Sequence, residues 1–322
     1  MNEDLQKIAQ AIKEKDNFLI LPHVFIDGDD LGSMLSFAQV LKSLGKNYYL
    51  YSIDGVSDTF DFLSNKEEIH TTLPAGANFD VAIVLECSSL TRLPEGFDLR
   101  ATCSEVINID HHPINDLPAD YSWIDPSFCA LGEMLYFLYK DLGVELNREA
   151  AEALYTSIVS DSAGFRYSSV SPRTHLVAAH LLEILGDISY IHRAIFSSYS
   201  ANELKLYSMA LATLQLHHHG KIVSAYVTAQ MLESCHLQEK DLQSLVGQLN
   251  VVKGSEIFVL FKAIDTNKIR VSLRSIEAPV NTVAAKHNGG GHKLAAACTL
   301  EGISLEEAME FIIPEAIELL NQ

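Results

Sequence analysis

Short, continuous apolar runs, each followed by a segment of helical periodicity, constrain the first half of this chain more than any other feature. Asn17 to Val24 (NFLILPHV) reads as a buried strand, then a glycine-containing loop, then an amphipathic helix from Ser33 to Leu44 closed by Gly45. Further strands are expected at Asn47–Ile53, Val81–Leu85 and Val106–Ile109. Strands that are apolar along their whole length, separated by helices, indicate a mainly parallel sheet covered on both faces. Helical patterns dominate from about Leu131 to Leu216; one begins at Ser171-Pro172, runs to Leu185 and is broken by Gly186-Asp187. From Lys221 the pattern changes. KIVSAYVT, EIFVLFKAI and KIRVSLRS read as strands, with a polar helix around Gln238–Leu245 between the first two. Ser304 and Glu307 form a capping-box signature ahead of the last helix.

The expected architecture is therefore α/β throughout. Residues 1–188 form a domain with a mainly parallel sheet flanked by helices, 189–204 a linker, and 205–322 a smaller α/β domain. A chain of 322 residues is long enough to bury two such cores.

Charge and cysteine usage exclude several function classes. With 42 acidic against 23 basic residues the formal charge is −19, the wrong sign for a protein that grips long duplex DNA by its phosphates. A small phosphate ester entering a local basic pocket is still allowed. The N-terminal stretch is too polar for a signal peptide, and no apolar run approaches the ~18 residues of a membrane span. Cys87, Cys103, Cys129, Cys235 and Cys298 are scattered and odd in number. That argues against a disulfide framework or zinc knuckle, fits a reducing compartment and gives a cytoplasmic expectation.

Four acid/histidine clusters fall just after expected strands or on a nearby helix, where open α/β sheets keep their sites. They are His23-Val-Phe-Ile-Asp27-Gly28-Asp29; Glu86, with Arg92 beyond it; Asp110-His111-His112; and Asp161, with Arg166 following. His23 and Asp27 can reach one ion while Asp29 points to another, with Gly28 expected to let the backbone turn between them. Taken singly, each cluster has an ordinary reading: Asp-Gly-Asp is usually a turn, a His pair is commonly polar surface, and Glu86 can be a cap or an ion-pair partner. Four together at four such places are not coincidence. Carboxylates mixed with imidazoles suit Mn²⁺, with Mg²⁺ as the alternative. A pair of such ions can stabilise both the attacking and the leaving oxygen of a phosphoryl displacement.

A fifth element lies downstream, Asn288-Gly289-Gly290-Gly291-His292-Lys293. Unobstructed backbone N–H groups there can form an anion-binding nest. Between Lys253 and Lys293 seven basic residues face three acidic ones, which in so acidic a chain suggests a phosphate-facing surface; Lys253 and Lys268 read as merely solvated. His217-His218-His219 reads as a surface turn, Tyr48, Tyr49 and Tyr51 as strand packing, and Trp123 as core.

In order, HVFIDGDDLGS, LECSSLTRL, NIDHHPIN and SDSAGFRY resemble the four motifs of the DHH phosphoesterases, and KIRVSLRS followed by NGGGHKLAAA resembles the DHHA1 domain that accompanies them. The resemblance covers nearly the whole chain. The chain is similar to the stand-alone DHH–DHHA1 group, whose members include nanoRNases, pAp phosphatases and phosphodiesterases of linear or cyclic dinucleotides. The resemblance implies that His23 and Asp27 hold one Mn²⁺, that Asp29, His111 and Asp161 hold the second, and that Glu86 bridges them. Asp110 would orient a neighbouring imidazole, while His112 would contact the scissile phosphate. Arg92 joins them as a catalytic candidate, and Arg166, Arg274, Ser275, the three glycines and His292 as substrate-binding ones, with Arg274 and His292 gripping a terminal phosphate. Short RNA oligonucleotides or small nucleotides are the implied partners; the oligomeric state, a homodimer included, is left open. One departure stands out: the family has aspartate where this chain has Glu86, and an acidic residue where it has Ser89.

Overall fold

In the computed structural model, residues 3–242, 245–265 and 267–321 are described. The chain divides into two compact units, Met1–Ser198 and Tyr199–Gln322. The first is built on a six-stranded sheet of β1 (Asn17–Leu21), β2 (Asn47–Tyr51), β3 (Ile69–His70), β4 (Phe79–Leu85), β5 (Cys103–Asp110) and β6 (Tyr121–Ile124). Its order is β3-β2-β1-β4-β5-β6 and every pairing is parallel.

Alternation along each strand explains why the runs are apolar throughout. Phe18 and Ile20 of β1, Ile83 of β4 and Ile107 of β5 point into one core, with residues of the helices Glu3–Glu14, Gly28–Ser43, Leu131–Leu142 and Arg148–Asp161. Leu19, Leu21, Ala82, Val84 and Val106 point the other way, against Leu93, Leu99 and Leu117. Trp123 is buried in the first core, as its sequence context suggests.

Two of the boundaries that differ from the sequence expectation matter for the site. β1 stops at Leu21 rather than Val24, because Pro22 has no N–H to continue a ladder; His23 is thereby released onto a loop. The following helix begins at Gly28 rather than Ser33. Asp27 caps it, its Oδ1 accepting from the N–H groups of Asp29 (2.8 Å) and Asp30 (3.2 Å), while Asp30 Oδ2 accepts from the Asp27 N–H (3.3 Å).

Gly28 is thus the first helical residue and not a turn. Its role is close approach: a Cβ there would lie 2.1 Å from Ser160 Oγ, and one at Gly32 would lie 2.3 Å from the Ala153 carbonyl oxygen. The missing side chains let the Gly28–Ser43 helix lie directly on the Arg148–Asp161 helix.

The second unit carries β7 (Gln215–His217), β8 (Ile222–Thr228), β9 (Ile257–Asp265), β10 (Lys268–Ser275), β11 (Gly290–His292) and β12 (Ala295–Glu301), in the order β11-β12-β10-β9-β8-β7. Only β8 and β9 pair in parallel; the other neighbours are antiparallel. The polar helix expected over 238–245 is a 3₁₀ turn at Glu239–Leu242 followed by a short helix, Leu245–Leu249, with 243 and 244 outside the described residues. The last helix, Leu305–Leu320, has the anticipated Ser304/Glu307 capping box. His218 and His219 form the β7–β8 turn, both with positive φ, and His217 Nε2 lies 2.7 Å from Ser224 Oγ. Among the described residues no helix is long and apolar enough to cross a membrane.

Substituting Gly32 by alanine tests the helix crossing. A Cβ driven at the Ala153 carbonyl meets backbone that cannot step aside, so Gly32→Ala should lose about 1–3 kcal/mol of unfolding free energy, read as a lower urea midpoint.

Candidate metal centre

The parallel sheet delivers three adjacent carboxyl-terminal strand ends to one place. β1 leads to His23 and Asp27, β4 to Glu86, and β5 to Asp110, His111 and His112. The helix crossing at Gly28 and Gly32 adds Asp29 and Asp30 from one helix and Asp161 from the end of the other. Ligand atoms of Asp29, Glu86, His111 and Asp161 all lie within 4.8 Å of one another, and so do those of His23, Asp27, Asp30 and Glu86. Glu86 belongs to both groups and also to a third with His111 and His112.

The imidazoles are oriented in the same way. His111 Nδ1 sits 3.3 Å from the Phe128 carbonyl oxygen and His23 Nδ1 2.6 Å from that of Val24. A carbonyl can only accept, so each ring keeps its proton on Nδ1 and turns Nε2 inward as a lone pair. There His111 Nε2 faces Glu86 Oε1 at 3.3 Å and Asp29 and Asp161 Oδ2 at 3.6 Å each, while His23 Nε2 faces Asp30 Oδ2 at 3.1 Å. Lone pairs meeting carboxylates are repulsive unless a proton or a metal cation lies between them. Buried Oδ1 of Asp30 and Oε2 of Glu86 have no hydrogen-bond partner, and groups of that kind carry a full desolvation penalty. This donor set fits divalent cations.

Supporting groups fix the carboxylates. Asp29 accepts from Ser157 Oγ (2.5 Å), the N–H of Leu131 (2.7 Å) and, more weakly, Ser33 Oγ (3.2 Å) and the N–H of Gly132 (3.3 Å). It thereby caps the Leu131–Leu142 helix, whose own preceding residue, Ala130, has no side-chain cap. Asp110 accepts from Asn115 Nδ2 (2.7 Å), the His112 N–H (3.0 Å) and His112 Nδ1 (2.6 Å), holding that ring in one orientation. Glu86 adopts φ 53°, a left-handed conformation that costs a non-glycine residue on the order of 1–3 kcal/mol and concentrates at functional sites. Its N–H donates to the Ile109 carbonyl at 3.0 Å, which holds the kink in place.

Crowding and burial set the proton affinities. Burial, then the charges of Asp29, Asp27 and Asp161, push Glu86 well above the usual carboxylate range; burial and the charge of Glu86 do the same to Asp30. Burial raises Asp29 as well, against the opposing pull of His111. Asp161 is pushed up to about 7, by burial first, with His111 opposing and Asp29 and Asp27 adding. Burial disfavours the His111 cation, but Asp161, Asp29 and Asp110 outweigh it and raise its pKa; burial and the Arg92 charge lower that of His23. Asp110 runs the other way: burial opposes ionisation, yet the hydrogen bonds and charge of His112 hold it below the usual range.

The remaining sequence candidates lie elsewhere. Arg92 is half-buried in a 3₁₀ turn, and its carbonyl accepts the Val24 N–H at 2.8 Å, tying two site loops together. Arg166 is exposed; its Nε donates to the Ala163 carbonyl at 2.7 Å and its guanidinium lies 5.9 Å from the Phe196 ring centre. In the second unit Arg274 is half-buried on β10, with Nη1 donating to the Leu273 carbonyl at 3.0 Å, and Ser275 Oγ donates to the Ala278 carbonyl at 2.5 Å. The glycine run lies against its neighbouring strand. Gly290 and Gly291 enter edge strand β11, and Cβ atoms at Gly289 and Gly291 would lie 2.2 and 2.5 Å from carbonyl oxygens of Ala297 and Ala295. The His292 side chain lies outside the described residues. Several basic residues of this segment face carboxylates: Arg270 with Glu239 at 2.7 Å, Lys268 with Glu301 at 3.0 Å, and Lys286 with Glu318 at 3.7 Å.

Asp30 is the site residue that sequence reasoning missed. Its signal was present as the fourth member of Asp27-Gly-Asp-Asp30, an acid at the third helical position able to answer the cap.

In metal-free protein, the raised Asp161 pKa destabilises the fold progressively as pH climbs from the ordinary carboxylate range to about 7, because over that window the unfolded chain has lost a proton that the folded state still holds, and the penalty is complete above about 7. Asp161→Asn removes that ionisation. Its melting temperature relative to the unsubstituted protein should therefore rise by a few degrees between pH 5.5 and pH 8 in chelator, measured by calorimetry.

Residues 17–158 match the DHH family, N-terminal domain, and residues 220–322 match the DHHA1 domain. The chain is 31% identical to the bifunctional oligoribonuclease and PAP phosphatase NrnA of Thermus thermophilus, over 99% of this chain and 95% of that protein. It is 27% identical to the protein of the same description from Bacillus subtilis, over 91% and 92%. The fold is shared with an exopolyphosphatase-related protein from Bacteroides fragilis, with TM-score 0.90, 24% identity and coverage of 99% and 96% of the two chains. The chain belongs to the DHH family, with a DHHA1 domain following its DHH N-terminal domain.

Proposed function

We propose that this protein is a Mn²⁺-dependent phosphoesterase that hydrolyses short oligoribonucleotides and pAp-like nucleotides to mononucleotides. The observation that carries this reading is the pair of acid/imidazole groups sharing Glu86, each with its histidine locked as an Nε2 donor. The substrate class follows from the relatives, described as oligoribonuclease and PAP phosphatase over nearly their full length.

In this reading His23, Asp27 and Asp30 hold one ion, Asp29, His111 and Asp161 hold the other, and Glu86 serves both. A bound metal pair supplies charge stabilisation at the phosphoryl oxygens and activation of water at neutral pH. His112, held through Nδ1 by Asp110 and indirectly by Asn115, passes a proton at Nε2 to the leaving oxygen. Arg92 adds positive charge beside His23. In the DHHA1 domain Arg274, Ser275, the Gly289–Gly291 backbone and His292 bind a terminal phosphate, and Arg166 is a further substrate-binding residue in the first domain. Cytoplasmic RNA fragments and nucleotides are the partners this chemistry calls for.

Metal-stripped protein reloaded with Mn²⁺ and presented with pAp, a 5′-phosphorylated RNA dinucleotide, a longer RNA and a cyclic dinucleotide tests the proposal by product chromatography. Mononucleotide should appear fastest from the short linear substrates and only with metal. Preferred cleavage of the cyclic compound would redirect the activity to cyclic dinucleotides, and metal binding without turnover would make the protein a nucleotide binder.

The kinked backbone at Glu86 places a glutamate, not an aspartate, within reach of both groups. Shortening it withdraws the carboxylate by about one bond length, and misplacements of ~1 Å cost about 100-fold in rate. Glu86→Asp should therefore lower kcat by that order. A large gain would instead mark the natural site as blunted.

A further inference from the structure

The loop Ser127–Ala130 and the start of the Leu131–Leu142 helix hold two of the proposed ligands of one ion at once. Phe128 offers its carbonyl oxygen to His111 Nδ1 at 3.3 Å, and three residues on, the Leu131 N–H donates to Asp29 at 2.7 Å. The Phe128 carbonyl orients the His111 ring, and Asp29 rests on the Leu131 and Gly132 N–H groups together with the Ser33 and Ser157 hydroxyls, so the position of this short segment helps set where both donor atoms stand.

The segment is itself clamped from outside the metal groups. Glu133 is fully buried, and its Oε2 accepts the Cys129 N–H at 2.9 Å and the Thr174 hydroxyl at 3.2 Å. Its Oε1 accepts from Arg173 Nε at 2.7 Å. Arg173 in turn donates through Nη2 to the Ser127 carbonyl at 2.7 Å, and its guanidinium carbon lies 3.7 Å from the Phe128 ring centre. Residues 127, 128 and 129 are thus each gripped by one ion pair: a carbonyl, a ring face and an N–H. A buried carboxylate is retained only where it is paired and hydrogen-bonded, and this one uses both oxygens to fix the loop backbone. The planar fork of arginine is needed, since an ammonium cannot serve Glu133, Ser127 and the ring face together.

We propose that Arg173 and Glu133 are positioning residues for the ion held by Asp29, His111 and Asp161, acting through the Phe128 carbonyl and the Leu131 N–H. The inference rests on the metal assignment made under the proposed function. It adds that a pair touching no ligand sets the affinity of one of the two ions. Outer-shell partners of metal ligands are worth about 10–100-fold in affinity, and an effect of that size confined to one ion is what this geometry requires.

Mn²⁺ titration of the metal-stripped full chain, followed calorimetrically well below the melting temperature, separates the outcomes. His111→Ala serves as the direct ligand variant and Asp30→Asn as the variant of the other group. Arg173→Met should weaken one class of Mn²⁺ site by about 10–100-fold, the class lost in His111→Ala, and leave untouched the class altered in Asp30→Asn. Arg173→Lys, the variant to use if the methionine protein does not fold, should show a smaller loss in the same class. Glu133→Gln, which keeps an acceptor for Cys129 but loses the charge, should fall between them. Wild-type Mn²⁺ binding in folded Arg173→Met or Arg173→Lys, even with a lowered melting temperature, would overturn the positioning role and leave a purely structural pair. Unchanged Mn²⁺ binding in His111→Ala would instead overturn the metal assignment itself.

Discussion

Mutual repulsion among the gathered carboxylates is the constraint around which the first unit is organised. Asp29, Asp30 and Glu86 are buried, with Asp161 half-buried beside them, and bringing such charges out of water together is costly unless something of opposite sign compensates. The protein supplies part of that compensation from its own dipoles. Asp29 rests on the N-terminus of the Leu131–Leu142 helix and on the Ser157 hydroxyl, while Asp27 rests on the N-terminus of its own helix. Protons or cations must supply the rest, which is why the pKa values of Asp29, Asp30, Glu86 and Asp161 climb and that of His111 rises with them.

That arrangement depends on an unusually close helix contact. Asp29 and Asp161 come from segments more than a hundred residues apart, and their approach needs the two helices to touch where Gly28 and Gly32 have no side chain. The sheet provides the other half of the geometry, since neighbouring strands β1, β4 and β5 end together and each releases its acid or histidine at the same edge. Rigidity at the site thus comes from backbone packing, and the motif residues are carried by it.

In the second unit, strand pairing constrains the glycines and carboxylates offset part of the charge. The glycine run is explained by the tight pairing of β11 with β12, and much of the positive charge of this segment is balanced locally by Glu239, Glu301, Glu315 and Glu318. A count of basic residues along the chain does not see carboxylates contributed from other elements, so it overstates the bare charge that a phosphate would meet. Arg274 lies half-buried on β10, with Nη1 donating to the Leu273 carbonyl.

By itself the sequence determined the α/β class, the parallel first sheet and most of the site. Apolar runs of strand length can be buried only on both faces, and acids or histidines placed just beyond them have nowhere to go but the carboxyl edge. The motif spacing was enough to bring forward His23, Asp27, Asp29, Glu86, Asp110, His111, His112 and Asp161. Only the tertiary structure decided which of these share an ion-sized space, that Asp30 joins them, and that Gly28 serves helix contact instead of a turn. It also decided that Phe128 and the Arg173–Glu133 pair stand behind His111. Those facts depend on distances between residues remote in the chain and on carbonyl and N–H groups that every residue possesses, and neither leaves a mark in the order of side chains.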